Sequence, residues 1–375
     1  MSGSSTPLAA ILAERIRRFG PITFAEYMRE ALYHPLHGYY SKPEATRFAD
    51  YYTSVDVHPI FGRLLARQFA EMWQLMGRPQ KFTVVEAGAG VGRLARHILE
   101  FARAKLPEFY VALHYVAVER SPLRSEQLGN RLAEFILAGK CLAALEIPAR
   151  IPEGCIFSNE LLDALAVHRV IQKDGKLQEL FVTHDGKSFG EQTGTLSTCA
   201  ITDYFAAQQI TLQEGQLAEA SLEACDWITE IARRLERGFL LTIDYGHDAV
   251  DLFDAHHMAG TALAYGGHDA SEDFYAAPGE QDLTAHVNFT ALRQWGERAG
   301  LETVGLTSQM AFLLALGKGN EFEDLYEDGM DEADRLRARL QLKTLIFPEG
   351  MGERFQVQIQ QKGVAEGILT AFAGI

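Results

Sequence analysis

The chain lacks the features that would place it in a membrane or outside the cell. No run of about eighteen apolar residues occurs in its 375 residues, so we expect no membrane insertion. Its start, Met-Ser-Gly-Ser-Ser-Thr-Pro, has no apolar stretch before a cleavage site, which argues against a secretion signal. The 4 cysteines lie far apart without a Cys-x-x-Cys pair, which favours reduced thiols over disulfides or zinc ligands. We therefore expect a cytoplasmic protein.

The chain is also short of positive charge. It has 35 lysines and arginines against 50 aspartates and glutamates, for a formal net charge of −15 at pH 7. Such a surface repels phosphate backbones and attracts cationic peptides and amines, although acidity can also serve solubility alone. We therefore expect no nucleic-acid partner.

A glycine-rich turn follows an apolar run within residues 82–94. The turn is Gly88-x-Gly90-x-Gly92, and glycine allows positive φ and close approach of a ligand. A dinucleotide fingerprint has its third glycine one residue later, and no Gly-Lys-Ser/Thr follows for a triphosphate loop. With Glu86 two residues before the first glycine, this short form is typical of class I S-adenosyl-L-methionine (SAM) methyltransferases. The alternative is a tight turn that binds no ligand.

A second strand-like run, Leu113–Glu119, ends in a carboxylate. At the tip of a strand, the Glu119 side chain could accept two hydrogen bonds from a ribose diol. The alternative is a solvated strand end. Together with the glycine turn, this run predicts a βαβ unit that binds SAM.

Apolar runs and helical patterns alternate along the rest of the chain. Further strands are predicted at 155–159, 239–244, 301–307 and 355–360. Two β-rich runs joined by Lys173-Asp-Gly-Lys176 predict a hairpin. This alternation predicts an α/β fold with a parallel, doubly wound, Rossmann-like sheet of the class I methyltransferase type.

The first eighty residues have a helical pattern. Five apolar residues fall on one face of a first helix: Leu8, Ile11, Leu12, Ile16 and Phe19. Gly20-Pro21 ends that helix, Thr23 can cap a second one, and a third is predicted at about 60–75. We therefore predict an N-terminal helical cap at 1–80.

The remainder, 81–375, is predicted to be the methyltransferase domain. Its insertions are a β-extension at 167–200, a lid loop at 248–290 and a helical segment at 310–345.

Polar residues follow the strand at 155–159, at the sheet edge where α/β folds bind ligands. Asn159, Glu160 and Asp163 stand there, and the two carboxylates would share one face if a helix began at this point. For Asp163, a helix-start charge is an equal alternative. We predict a functional role for Glu160.

A second polar group, Asp282, His286 and Asn288, closes the long loop. Asp282 could instead only cap a helix that starts near Thr290. Its neighbours are unusual for a plain turn, so we keep it as a candidate.

Histidines occur between these two groups. His247 follows the strand at 239–244, and a polar contact and a buried structural role are equal alternatives. His256, His257 and His268 fit no zinc signature and no cysteine joins them. We therefore predict no metal site.

Several sequence blocks resemble the MidA family, which includes a mitochondrial complex I assembly factor that methylates an arginine. In chain order the blocks are Gly20–Met28, His34-Pro35 with Gly38–Tyr40, Tyr52–Ser54 with Ile60–Gly62, Val85–Gly92, Asn159-Glu160 with Asp163–Leu165, Asp244–His247, Gln281–Phe289 and Met351–Phe355. The resemblance implies a class I SAM-dependent methyltransferase with extra helical elements and protein arginine as the leading acceptor. Two departures concern specificity: Val55-Asp56 stands where the family usually has Pro-Glu, and glycines occupy 266–267.

These observations together give a set of expected site residues. The expected catalytic residues are Glu160, Asp163, Asp282 and His286. The expected cofactor contacts are Glu86, Gly88, Gly90, Gly92, Glu119, Asn159 and Ser54. The expected partner is a protein with an acceptor arginine, a respiratory complex I subunit being the candidate, and a homodimer is left open. Two alternatives are a non-catalytic assembly chaperone that keeps the fold and a small-molecule methyltransferase.

Overall fold

A computed structural model describes most of the chain. It covers residues 6–42, 58–266, 269–326, 329–347, 351–365 and 367–373. None of the helices in these ranges has the length and apolar character needed to cross a bilayer.

The chain divides into two compact units. The one that we call the sheet unit comprises Tyr52–Leu161, Thr229–Tyr245 and Gly296–Ile375. The other, the accessory unit, comprises Met1–Tyr51, Leu162–Ile228 and Gly246–Trp295. The helical cap at 1–80 and its boundary with the methyltransferase domain stay a prediction.

Helices and strands alternate through both units. The helices are α1 Pro7–Phe19, α2 Phe24–Tyr33, α3 Ile60–Leu75, α4 Arg93–Lys105, α5 Pro107–Ala112, α6 Pro122–Arg131, α7 Ala133–Leu137, α8 Ala200–Ala207, α9 Leu222–Arg234, α10 Ala249–Leu252, α11 Phe289–Arg298, α12 Gln309–Lys318 and α13 Glu332–Ile346. The strands are β1 Ile22–Thr23, β2 Phe82–Ala87, β3 Leu113–Val118, β4 Cys141–Ala144, β5 Ile151–Asn159, β6 His168–Lys173, β7 Lys176–His184, β8 Phe189–Gly194, β9 Leu217–Ala220, β10 Leu235–His247, β11 Leu263–Gly266, β12 Asp269–Ser271, β13 Asp282–Thr284, β14 Val287–Asn288, β15 Glu302–Ser308 and β16 Phe355–Lys362.

The sheet unit is built on one central sheet with the strand order β15-β16-β10-β5-β2-β3-β4. Neighbours from β10 to β4 are parallel, as the sequence predicts. The prediction of a parallel sheet is wrong for β16, which runs antiparallel to both β10 and β15. The short strand β4 was not predicted, because only the first of its four residues is buried.

The centre of this sheet is apolar on both faces. Every residue of β2 is buried, as expected for a central parallel strand. The predicted helix α3 is confirmed, and its Phe69 ring lies 5.0 Å from the Phe157 ring of β5, centroid to centroid. This packing holds the carboxyl end of β2 in place.

Small antiparallel sheets form the accessory unit. One has the order β1-β7-β6-β9 with β8 on β7, and a second has the order β12-β11-β13. The predicted hairpin is confirmed, since β6 and β7 pair up to Lys173 and Lys176. Asp174 and Gly175 between them have φ of 52° and 70°, the positive values of a type I′ turn.

The first helix departs from its predicted face. Leu8, Leu12 and Ile16 are buried, but Ile11 is 43% exposed and Phe19 is 77% exposed, so the prediction is wrong for these two. Ile11 lies at the edge of the narrow stripe formed by residues four apart, and Phe19 is the last residue of the helix.

The segment 248–290 is more ordered than the long loop expected from the sequence. It contains α10 and the sheet formed by β11, β12 and β13. Its role as a lid stays a prediction.

Candidate functional site

The glycine turn after β2 has the backbone geometry that only glycine adopts readily. Gly88, Gly90 and Gly92 have φ of 75°, 56° and 79°. A left-handed conformation costs an L-residue about 1–2 kcal/mol. The N–H groups of Gly88 and Ala89 donate to the Val118 carbonyl oxygen at 3.0 and 2.9 Å, which ties the turn to the end of β3.

The three glycines differ in the space around them. A Cβ on Gly88 would lie 3.0 Å from Leu161 Cδ1, and one on Gly92 would lie 3.3 Å from Leu128 Cγ. At Gly90, by contrast, no heavy atom of the described residues, apart from Gly90 and its chain neighbours, lies within 4 Å of the Cβ position. Gly88 and Gly92 therefore allow close packing of the turn, and the expected cofactor contact of Gly90 stays a prediction.

Glu119 lies against this turn, as predicted. The Gly90 N–H donates to Glu119 Oε2 at 3.0 Å, and the Ser121 N–H donates to Glu119 Oε1 at 2.7 Å. These bonds fix the carboxylate at the tip of β3, within the same unit as the glycines. Its contact with a ribose stays a prediction.

Glu86 is buried in the sheet. The Tyr115 hydroxyl donates to Glu86 Oε2 at 2.7 Å. The pKa of Glu86 is raised to about 8, because the effect of burial, with a contribution from the charge of Glu119, outweighs the lowering by the Tyr115 hydrogen bond. Glu86 is therefore mostly protonated at neutral pH, and its expected cofactor contact stays a prediction.

Glu160 follows β5 in a strained conformation. Its φ is 53°, which is uncommon outside glycine and is found at functional sites. The Glu160 N–H donates to the Ile243 carbonyl oxygen at 3.0 Å, and Asn159 Nδ2 donates to Glu160 Oε1 at 3.1 Å. The next residues form a turn, so the helix on which Glu160 and Asp163 would share a face is absent there, and that expectation is wrong.

Sequence reasoning missed Asp244 as a positioning residue. Its side chain is fully buried near the end of β10. Asp244 Oδ2 accepts from the Leu161 N–H at 3.1 Å, and Oδ1 accepts from the Tyr245 N–H at 2.9 Å. The carboxylate thus fixes the backbone directly after Glu160. Its place in the Asp244-Tyr-Gly-His247 block was the available signal.

Asp282 belongs to the accessory unit and is fully buried at the start of β13. The Tyr40 hydroxyl donates to Asp282 Oδ2 at 3.1 Å, and the Tyr40 ring stacks on the Tyr33 ring at 5.4 Å. The alternative that Asp282 caps the next helix is wrong, because the Ala291 N–H of α11 donates to Asn288 Oδ1 at 3.0 Å instead.

Asp163 and His286 also lie in the accessory unit. The Asp163 carbonyl oxygen accepts from the Ala285 N–H at 2.9 Å, next to His286 in the chain. The His286 ring lies 5.4 Å from the His247 ring and 6.4 Å from the His257 ring, centroid to centroid. No spacing along the chain predicts that these histidines lie together. Ser54 lies outside the described residues.

The expected site residues therefore fall into two sets. Glu86, the three glycines, Glu119, Asn159 and Glu160 belong to the sheet unit, and Asp163, Asp282 and His286 belong to the accessory unit. Their individual roles stay predictions.

A family model for S-adenosyl-L-methionine-dependent methyltransferases matches residues 64–307 of the chain. A crystal structure of a protein from Burkholderia thailandensis, bound to S-adenosyl-homocysteine, is 31% identical and superimposes with a TM-score of 0.85. The alignment covers 98% of this chain and 94% of that one. The predicted fold class and cofactor are therefore confirmed.

Two curated relatives carry the name "Protein arginine methyltransferase NDUFAF7, mitochondrial". The one from Danio rerio is 31% identical and covers 92% of this chain and 84% of its own length. The one from Mus musculus is 30% identical and covers 94% of this chain and 84% of its own length. The resemblance stated from the sequence blocks is thus confirmed.

The cytoplasmic location expected from the sequence is wrong on this comparison, because these relatives are named as mitochondrial proteins. The expectation depended on unpaired cysteines, and all 4 are indeed free. Free thiols are typical of reducing compartments, but they do not distinguish one reducing compartment from another.

Proposed function

Since the chain belongs to a family of S-adenosyl-L-methionine-dependent methyltransferases, we propose that it methylates an arginine side chain of a protein. The observation that carries the proposal is the name of its relatives, protein arginine methyltransferases that align over 92% and 94% of this chain. The net charge of −15 supports it, because an acidic surface attracts a cationic segment.

The glycine turn and Glu119 are the proposed cofactor site. SAM, when bound, supplies a methyl group that its sulfonium already activates. Gly90 leaves room beside the backbone, and Glu119 lies within hydrogen-bond distance of Gly90. Glu86, Asn159 and Ser54 complete the proposed set of contacts.

The proposed acceptor site depends on carboxylates. A guanidinium has a pKa above about 12 and presents planar donors that a carboxylate can bind bidentately. Such a grip would localise charge on one nitrogen and hold another about 3 Å behind the methyl carbon. Glu160 is the first candidate, because its backbone is fixed by the bond to Ile243 and by Asp244 on the next residue. Asp163, Asp282 and His286 are the further candidates.

The test is methyl transfer by the Glu160→Gln variant. We expect S-adenosylhomocysteine affinity within about 3-fold of wild type and transfer reduced at least about 100-fold, since the variant loses its charged contact with the acceptor and keeps the proposed cofactor contacts. Radiolabelled transfer into lysate protein, followed by methylarginine analysis, measures this. Glu146→Gln, at an exposed position of the same unit, is the control and should transfer normally.

The outcome separates the proposal from its alternatives. Label in small molecules, or in a residue other than arginine, would contradict it. Full cellular rescue by a variant that binds no cofactor would favour the assembly chaperone. Mass spectrometry of arginine methylation in cells with and without the gene tests the candidate acceptor, a respiratory complex I subunit. The homodimer stays a prediction for light scattering to test.

A further inference from the structure

Three histidines from separate segments of the accessory unit meet at one place. His247 ends β10, His257 follows α10, and His286 lies between β13 and β14. Their ring centroids are 5.4 to 6.4 Å apart, and one nitrogen from each ring lies within 4.8 Å of the others. Three partly buried imidazoles in this arrangement can converge on a single ion.

Strand pairing explains how distant segments bring these residues together. The end of β10 pairs with β14, with Gly246 opposite Val287 and His247 opposite Asn288. A Cβ at Gly246 would lie 2.0 Å from the Val287 carbonyl oxygen, so only glycine permits this pairing. The residue before β14 is His286, which the pairing therefore holds beside His247.

Hydrogen bonds fix the tautomer of His257. Its Nδ1 lies 2.9 Å from the Asp251 carbonyl oxygen and 3.1 Å from Asp254 Oδ1. A carbonyl oxygen can only accept, so Nδ1 carries the hydrogen and the neutral ring has its lone pair on Nε2. An oxygen acceptor behind a ligating histidine is the usual arrangement around zinc.

The ligand set selects the class of ion. Imidazole nitrogens suit zinc, copper, nickel and iron, whereas magnesium and calcium require oxygen ligands. Tetrahedral zinc with bonds of about 2.0–2.1 Å places its ligand nitrogens about 3.3 Å apart. One nitrogen from each of the three rings lies within 4.8 Å of the others, so each nitrogen–nitrogen distance needs to shorten by about 1.5 Å or less to hold a zinc ion.

We infer that His247, His257 and His286 bind one divalent transition-metal ion, with zinc as the first candidate and water as the fourth ligand. The ion would join the end of β10, the segment after α10 and the turn between β13 and β14. His286 is also a candidate for the arginine acceptor site, but the inference is tested by metal content, which does not depend on methyl transfer. If it holds, the sequence-based expectation of no metal site is wrong.

The experiment measures metal content of the full chain after chelation, zinc reloading and gel filtration. We expect one zinc per chain for wild type, at least a 10-fold weaker affinity for His257→Gln, and no retained zinc for the triple variant in which all three histidines are glutamine. His256→Gln is the matched control, because His256 is exposed and adjacent to His257, and it should retain one zinc. Magnesium should leave the thermal midpoint unchanged, and zinc should raise it.

Two further measurements separate loss of the site from loss of the fold. Asp254→Asn keeps all three ligands and removes the carboxylate acceptor of His257, so zinc affinity should fall about 10-fold. Cobalt added to the wild type should give the intense visible absorption of a four-coordinate ion. A wild type that retains no zinc, or a folded triple variant that retains as much as wild type, would overturn the inference.

Discussion

The sheet unit and the accessory unit bury their charged groups in different ways. In the sheet unit, burial keeps Glu86 largely neutral, and Asp244 accepts two backbone N–H groups. In the accessory unit, the buried guanidinium of Arg169 lies 3.8 Å from the buried carboxylate of Glu219 and 2.5 Å from that of Glu191, which is 27% exposed. Backbone N–H groups and a tyrosine hydroxyl thus stabilise these two carboxyl groups of the sheet unit, whereas a buried guanidinium joins segments of the accessory unit.

Aromatic rings add to this difference. The Arg169 guanidinium lies 5.2 Å from the Phe24 ring and 4.7 Å from the Phe274 ring. The two rings come from chain segments that are about 250 residues apart in the sequence. The accessory unit therefore depends on contacts that no local pattern contains, and its stability should be sensitive to single polar substitutions.

Arg169→Ala should have the largest effect on stability. Removing the guanidinium leaves the buried carboxylate of Glu219 without its cation, although Thr261 still donates to it, and we expect a cost of about 3–5 kcal/mol of unfolding free energy. Urea unfolding followed by circular dichroism measures the loss. Arg96→Ala in the sheet unit is the control, since its half-exposed pair with Glu100 is worth within about 1 kcal/mol. Equal losses for the two variants would remove the contrast between the units.

Gly90→Val should come next, with an effect on cofactor binding in addition to the folding cost of a valine at positive φ. The valine side chain would fill the space beside the turn, so S-adenosylhomocysteine affinity should fall at least about 100-fold, or about 2.8 kcal/mol. Calorimetric titration measures it. Gly139→Val is the matched control, because Gly139 has φ of 68° and no heavy atom of the described part of the chain, apart from its neighbours, near its Cβ position. This variant should bind S-adenosylhomocysteine as wild type does. Normal binding by Gly90→Val would place the cofactor elsewhere.

Glu86→Gln tests the neutral carboxyl in the sheet unit. Because the folded-state pKa of Glu86 is raised to about 8, the unfolded chain ionises first as pH rises. The wild type should therefore lose up to about 1.4 kcal/mol of stability per pH unit between pH 5 and 8 from this group. The glutamine variant lacks that loss, and its stability relative to wild type should rise with pH. Parallel pH profiles of unfolding would contradict the pKa shift.

Phe19→Ser should have the smallest effect. It should change the free energy of unfolding by no more than about 0.5 kcal/mol, because the ring is 77% exposed. Leu12→Ala, on the buried face of the same helix, should cost about 2–5 kcal/mol. Thermal unfolding of both variants measures the difference. A large loss of stability in Phe19→Ser would instead support the prediction from periodicity that Phe19 belongs to the buried face of the helix.

Much of the fold could be predicted because its signals are contiguous. The glycine turn, α3 and the Lys173–Lys176 hairpin each follow from residues close in sequence, where backbone preference and periodicity act. The antiparallel direction of β16 could not be predicted, because an apolar run has the same pattern in either direction. The turn after Glu160 could not be predicted either, since the buried carboxylate of Asp244, far along the chain, fixes it.

By itself, the sequence determined the cofactor class and the positions of the central-sheet strands other than β4. Spacing between glycines and alternation of apolar runs are local properties, and they persist whatever the rest of the chain does. Only the tertiary structure decided that Tyr40 contacts Asp282, that Asp244 fixes the chain after Glu160, and that His247, His257 and His286 meet. Such contacts depend on strand pairing and packing between distant segments, and no spacing along the chain encodes them.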